Sequence, residues 1–284
     1  MQDDRPSVTA YRVALRRAAH QILDDPKVLD DPLAMAIVGG EGETRSRIGE
    51  VKSRGRFARS MRAYMAMRSR YAEDRLAAAV ERGARQYVVL GAGLDTFAYR
   101  NPYPADRLHV FEVDHPATQG WKRKRLAKGG IAIPETMTFA PVDFERQTLA
   151  DGLAQAGFRS DRFTFFSWLG VVPYLTRNAV LETLSFVAAQ AAGSEVVFDY
   201  GRPASSLNWL QRLAFTGLAN RVAAAGEPFQ TFFTPEELAA ELSRLGFGHL
   251  EDSGMDEMNR RYFAGRADGL RVAGGLAHVM AARV

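Results

Sequence analysis

The chain has no cysteine anywhere in its 284 residues. That removes disulfide frameworks, thiolate nucleophiles and every cysteine-based zinc or iron–sulfur site. Histidine is also scarce: His20, His109, His115, His249 and His278 stand apart, with neither an H-x-x-x-H spacing nor a His–acid pair, so no metal site is expected. No apolar run approaches the roughly 18 residues of a membrane span. The opening MQDDRPSVTA is too acidic and polar for a secretory signal, which predicts a cytoplasmic protein without membrane attachment. Low-complexity linkers and internal repeats are absent too. What remains is a globular composition, 46% hydrophobic and 25% charged, with a mild net charge of +4. The densest basic run, Lys122–Arg125 with Lys128, follows a strand and lacks interleaved aromatics. It reads as the solvated face of a crossover helix, and no nucleic-acid partner is expected.

The informative stretch is Tyr87–Asp95, YVVLGAGLD. An apolar run suited to a strand buried on both faces breaks into Gly91-Ala92-Gly93, where the backbone can approach a ligand that a Cβ would exclude. The next strand, Leu108–Asp114, ends in an acid 21 residues beyond Gly93, about where a carboxylate meets a ribose diol. Glu112, on the same face, is the runner-up. A dinucleotide fingerprint would place a third glycine at position 96, and the chain has Thr96. S-adenosylmethionine carries no phosphate, so a two-glycine turn passing its methionine portion suffices. An NAD(P)-dependent oxidoreductase and a nucleic-acid-modifying enzyme are the alternatives.

From Gln86 onward strands alternate with helical patterns, as in an α/β fold with a mostly parallel sheet. Further strands are expected near 137–142, 162–169 and 195–200, and helices near 115–128, 147–157 and 176–192. Thr234-Pro-Glu-Glu237 reads as a capping box opening another helix. Gly246–Leu250 and Ala277–Val284 read as two closing strands, antiparallel across a short connection at Leu270–Gly275. Residues 1–85 are helical and Arg-rich, a cap beside a core at 86–284, with Asp24-Asp-Pro26 and Asp30-Asp-Pro32 as turns. An aromatic-rich insertion around 203–230 is expected to act as a lid.

Within the cap, Phe57, Met61, Tyr64, Met65, Ala72, Leu76 and Ala79 form one apolar helical stripe that contains Arg68, while Arg70 faces away. A guanidinium on such a stripe needs an anion. The carboxylate of a bound methionine moiety fits, and so does an internal acid; Arg75 lies near the same stripe. At the third strand's end, Asp143-Phe144 offers an acceptor and a ring to an adenine, or simply a helix cap. Asp114 has a cap as its own second reading.

Val88–Thr96 with Phe97-Ala-Tyr-Arg100, Phe111–Pro116, Pro141-Val-Asp-Phe144 and Phe166–Leu175 together resemble the leucine carboxyl methyltransferase family, in particular its bacterial branch that includes polyketide O-methyltransferases. The likeness extends from Thr9-Ala10 and Asp31-Pro-Leu-Ala34 to Gly226-Glu-Pro and Arg261–Leu270. It implies a Rossmann-like class I methyltransferase fold with a seven-stranded sheet, and S-adenosyl-L-methionine as cofactor. It also implies O-methylation of a small molecule, at a carboxylate or hydroxyl. By similarity Arg68 holds the cofactor carboxylate, Gly91, Ala92 and Gly93 face its methionine part, Asp114 takes the ribose, and Asp143 with Phe144 flanks adenine. Leu169 stands where many relatives have Glu, and Ser167 is the nearest polar substitute. Arg261 and Tyr262 are expected on the acceptor side.

Overall fold

The computed structural model describes residues 8–50, 55–143, 146–206, 209, 212, 216 and 228–284. Among them, helices α1 (Val8–Leu23), α2 (Ala34–Val38), α3 (Glu41–Glu50) and α4 (Arg56–Glu81) precede the first strand. The sheet then comprises β1 (Gln86–Leu90), β2 (His109–Asp114), β3 (Met137–Pro141), β4 (Thr164–Trp168), β5 (Glu195–Gly201), β6 (His249–Gly254) and β7 (Ala277–Arg283). Between strands lie α5 (Pro116–Lys128), α6 (Leu149–Gln155), α7 (Arg177–Ala188), α8 (Pro235–Leu245) and α9 (Met255–Phe263). The spatial order is β3-β2-β1-β4-β5-β7-β6. β7 alone runs against its neighbours, pairing antiparallel with β5 and β6.

β1 and β4 are buried along their whole length, as a central parallel strand covered on both faces must be. One apolar layer joins α4 to the sheet through Met67, Tyr71, Leu76, Val89, Phe165 and Val197. The other face packs Phe166, Phe198, Val180, Leu184 and Leu238 against α7 and α8. Helix starts follow their local chemistry. Thr176 and Thr234 cap α7 and α8, the latter through a complete capping box with Glu237.

Three expectations change. Gly246, at φ +104°, ends α8 in the left-handed conformation, and the Phe247 N–H donates to the Leu242 carbonyl. The strand expected at 246–250 therefore begins only at His249. Second, β6 and β7 are antiparallel as expected, but α9 occupies their connection. Third, the buried arc of α4 is wider than one stripe, because α1 packs on it as well as the sheet; Phe57, expected to head that stripe, is exposed.

Asp24, read in the sequence only as a turn residue, is a buried anion. It accepts from Arg62 Nε at 2.6 Å and Nη2 at 2.8 Å, and contacts His20 Nδ1 at 2.8 Å. His20 Nε2 accepts from the Val28 and Leu29 N–H groups, so the ring proton sits on Nδ1 and is donated to Asp24. Burial works against the ionised carboxyl, but the Arg62 and His20 hydrogen bonds outweigh it and hold its pKa below the ordinary value. We expect Asp24→Asn to lose about 3–5 kcal/mol in denaturant unfolding, the cost of stranding a buried guanidinium. Since the folded pKa is depressed, the stabilisation is complete above the unfolded value of about 3.9 and is lost as pH falls through the folded one. The gap between wild type and Asp24→Asn should narrow as pH falls below about 4 in the same experiment.

Candidate functional site

Strand order reverses direction between β1 and β4, since β1 leads outward to β2 while β4 lies on its other side. In an open α/β sheet such a reversal leaves a crevice at the carboxyl ends of the two strands. Here it is a cleft of about 320 Å³. Gly91 closes β1 at φ +66°, and a Cβ built on it would lie 2.4 Å from Val171 Cγ2, so that turn tolerates no side chain.

Six residues expected from the sequence line this cleft: Arg68, Gly91, Ala92, Gly93, Asp114 and Ser167. Asp114 ends β2 with its carboxylate fixed by backbone donors, the Gly93 N–H at 2.6 Å on Oδ2 and the His115 N–H at 2.7 Å on Oδ1. Burial pushes its pKa up, against the lowering effect of those donors. The cap of α5 is not Asp114 but His115, whose Nδ1 accepts from the Ala117 N–H at 3.2 Å. Glu112 is turned away to Lys122 at 2.7 Å and Tyr99 at 3.0 Å, outside the cleft. Ser167 shares a 2.8 Å hydrogen bond with the buried Tyr87 hydroxyl.

Arg68 pairs with an internal acid and also faces the cleft. Its Nη1 donates to the internal acid Asp199 at 2.9 Å, while the residue also lines the cleft. Burial works to lower its pKa, but the charge and hydrogen bond of Asp199 together with Tyr64 outweigh this and raise it, so the guanidinium stays ionised. Arg70 is exposed on Asp74, and Arg75 is spent on Glu195 and Glu251.

Of the other four candidates, three lie elsewhere and one falls outside the described residues. Asp143 follows β3 on the same sheet edge, half-buried and 3.5 Å from Arg146, beyond the cleft lining. Phe144 lies outside the described residues. Arg261 and Tyr262 sit on α9, where the Tyr262 hydroxyl donates to Asp74 at 2.8 Å and the Arg261 guanidinium lies 5.2 Å from the Tyr71 ring centre. They brace α9 against the flank of α4 rather than reaching the cleft.

Sequence reasoning missed one whole wall. Thr9, Ala10, Val13 and Ala14 of α1 line the cleft, and a Cβ on Gly93 would come 3.1 Å from Ala10 Cβ. Spacing by three and four along α1 carried that signal, but nothing local says what such a face will pack against. Also missed was the charge network under the glycine turn. Arg17 contacts Asp95 at 3.0 Å and Asp31 at 3.3 Å, and Arg100 forks onto Glu73. Thr96, where a dinucleotide turn would carry its third glycine, is fully buried. Its hydroxyl donates to Asp31 at 2.7 Å and accepts from Arg17 at 3.2 Å. The position that would bring helix backbone close to a diphosphate is thus filled by an inward-tied side chain.

Comparison with known proteins accords with this geometry. Residues 10–188 match the family model for leucine carboxyl methyltransferase. YktD of Bacillus subtilis, named as an S-adenosyl-L-methionine-dependent methyltransferase, is 33% identical over 95% of each chain. A Mycobacterium avium protein with the same naming is 32% identical over 89% of this chain and 82% of its own. The fold is shared with a Streptomyces avermitilis protein whose structure is solved, at a TM-score of 0.55 and 19% identity, covering 87% of this chain and 94% of that one. A family match of that length, with relatives aligned nearly end to end, leaves the nicotinamide alternative without support: the chain is a methyltransferase with a class I fold and belongs to the leucine carboxyl methyltransferase family.

Proposed function

We propose that the enzyme binds S-adenosyl-L-methionine along the carboxyl edge of β2, β1 and β4 and transfers its methyl group to a carboxylate or hydroxyl oxygen of a small molecule. A polyketide or other secondary metabolite is the acceptor class we favour. The observation that carries this reading is the polarity of the cleft. A guanidinium stands at the β4 end and a carboxylate at the β2 end, with a Cβ-free turn between them. That order matches a donor whose amino-acid carboxylate and ribose diol lie at opposite ends of a sulfonium-centred middle that carries no phosphate.

In this reading Arg68 holds the donor's carboxylate and Asp114 its ribose hydroxyls, while the Gly91–Gly93 turn passes the chain between. Ser167 offers the polar contact that Leu169 lacks, and Asp143, one strand further along the same edge, is assigned to the adenine rim. When bound, the donor supplies a methyl group already activated by the sulfonium charge. The protein's share is to align the acceptor in line with that bond and keep water away. Val171, Tyr174, Leu175, Pro228 and Gln230 form the wall available to the acceptor, and they are mostly apolar. Tyr174 and Leu175 are tied to this wall by Gln230 Nε2 on the Tyr174 carbonyl at 2.6 Å and Thr231 Oγ1 on the Leu175 carbonyl at 2.5 Å. No helix among the described residues is long and apolar enough to cross a membrane.

Calorimetric titration tests the donor site. S-adenosylhomocysteine should bind, whereas NAD and NADP should not. Arg68→Ala and Asp114→Ala should each weaken binding by about ten- to a hundredfold, equivalent to about 1.4–2.8 kcal/mol. Tight binding of the nicotinamide compounds alone would overturn the reading, and unchanged affinity in both variants would remove the site assignment. The acceptor is addressed by methyl uptake into a panel of aromatic acids and polyketide phenols. A carboxylate is already ionised near neutrality, so its rate should be flat above about pH 6, whereas a phenol's rate should climb with pH toward about 10.

A further inference from the structure

We infer that Asp199 is a positioning residue of the donor site, holding the Arg68 guanidinium on the face of Gly170 with its unbonded edge turned to the donor's carboxylate. The inference rests on the donor reading given above and extends it to a residue that never enters the cleft.

Asp199 lies on β5, buried, and both of its oxygens accept hydrogen bonds. Oδ2 accepts from Arg68 Nη1 at 2.9 Å and from the Tyr64 hydroxyl at 2.5 Å, while Oδ1 accepts from the Gly170 N–H at 2.5 Å. The carboxylate meets the guanidinium through Oδ2 alone. Two other arginines, the buried Arg62 and the partly buried Arg100, are held differently. Asp24 takes Arg62 through two nitrogens, and Glu73 takes Arg100 through two. Arg68 has five N–H donors, and among the described residues only Nη1 has an acceptor. A buried guanidinium used through one nitrogen keeps its planar fork for another anion, and the fork fits a second carboxylate.

Gly170 supplies the other half of the clamp. It follows β4 at φ +73°, and a Cβ built on it would fall 2.7 Å from Arg68 Nη2, 2.8 Å from Nη1 and 3.0 Å from Cζ. The guanidinium plane rests where that methyl would be. The Tyr64 ring lies near it as well, its centre 5.4 Å from Cζ. Three contacts from three elements, α4, β5 and the turn after β4, thus set one cation's orientation. Removing Asp199 frees the side chain to turn within the cleft, although Arg68 and every cleft-lining group remain.

The test compares two ligands that share adenosine and differ at the amino-acid end. S-adenosylhomocysteine carries the carboxylate, and 5′-methylthioadenosine does not. By titration calorimetry, Asp199→Asn should weaken S-adenosylhomocysteine at least about tenfold and change methylthioadenosine by less than about twofold. Because Asp199 acts through Arg68, adding Asp199→Asn to Arg68→Ala should cost nothing further. Gly170→Ala, which leaves both charges in place, should show the same selective loss and decides the matter if Asp199→Asn fails to fold. Equal losses for both ligands, an unchanged or improved affinity for S-adenosylhomocysteine, or additive losses in the double variant would overturn the inference while the donor reading stands. Failure of the donor reading looks different: wild type would not prefer S-adenosylhomocysteine over methylthioadenosine, or Arg68→Ala would bind it undiminished.

Discussion

The structure depends on the need to neutralise charge that has been taken out of water. An unpaired ion in a protein interior costs several kcal/mol, so each buried acid must find a cation at a fixed distance and angle. Asp24 with Arg62 ties the loop after α1 to α4, Arg17 ties α1 to Asp31 and to Asp95 beside the glycine turn, and Glu195 at the start of β5 receives Arg75 and Arg82 from α4. Apolar packing alone would let helices slide by a fraction of a turn at modest cost. These pairs do not. They fix the register of α1 and α4 against the sheet, and that register decides which side chains face the cleft.

What could be read in advance follows the same division. Strands β1, β2 and β4 were legible because their burial is imposed by a parallel sheet and shows as unbroken apolar runs. The helix over Arg56–Glu81 was legible from its periodicity, and the α8 capping box from side chains three residues apart. The juxtaposition of Gly91, Gly93 and Asp114 was legible because the turn and the strand end are local features joined by one predictable pairing. Their meeting in one cleft is a consequence of β1 lying beside β2.

Interactions between distant segments were not legible. Asp199 is 131 residues from Arg68, and no pattern near either residue marks the other. Asp24 and Asp31 looked like turn formers because the adjoining prolines are strong turn signals, and that reading concealed their second role as buried anions. The wall built by α1 was hidden for a related reason: an amphipathic face announces that it will be buried, not against what. Arg261 and Tyr262 were chosen from a family-like string, yet their segment forms α9 and packs on α4. A string shared among relatives can preserve packing as readily as chemistry.

Thr96 bears on how freely this scaffold can exchange one cofactor for another. On paper, a single glycine at that position would complete the dinucleotide pattern. In the folded protein its hydroxyl is the link between Asp31 and Arg17, so the exchange would strip a partner from a carboxylate with no access to solvent. The route from sulfonium to diphosphate ligands is therefore obstructed below the turn rather than within it. Any lineage crossing over would first have to dismantle the ionic mooring of its own amino-terminal helix.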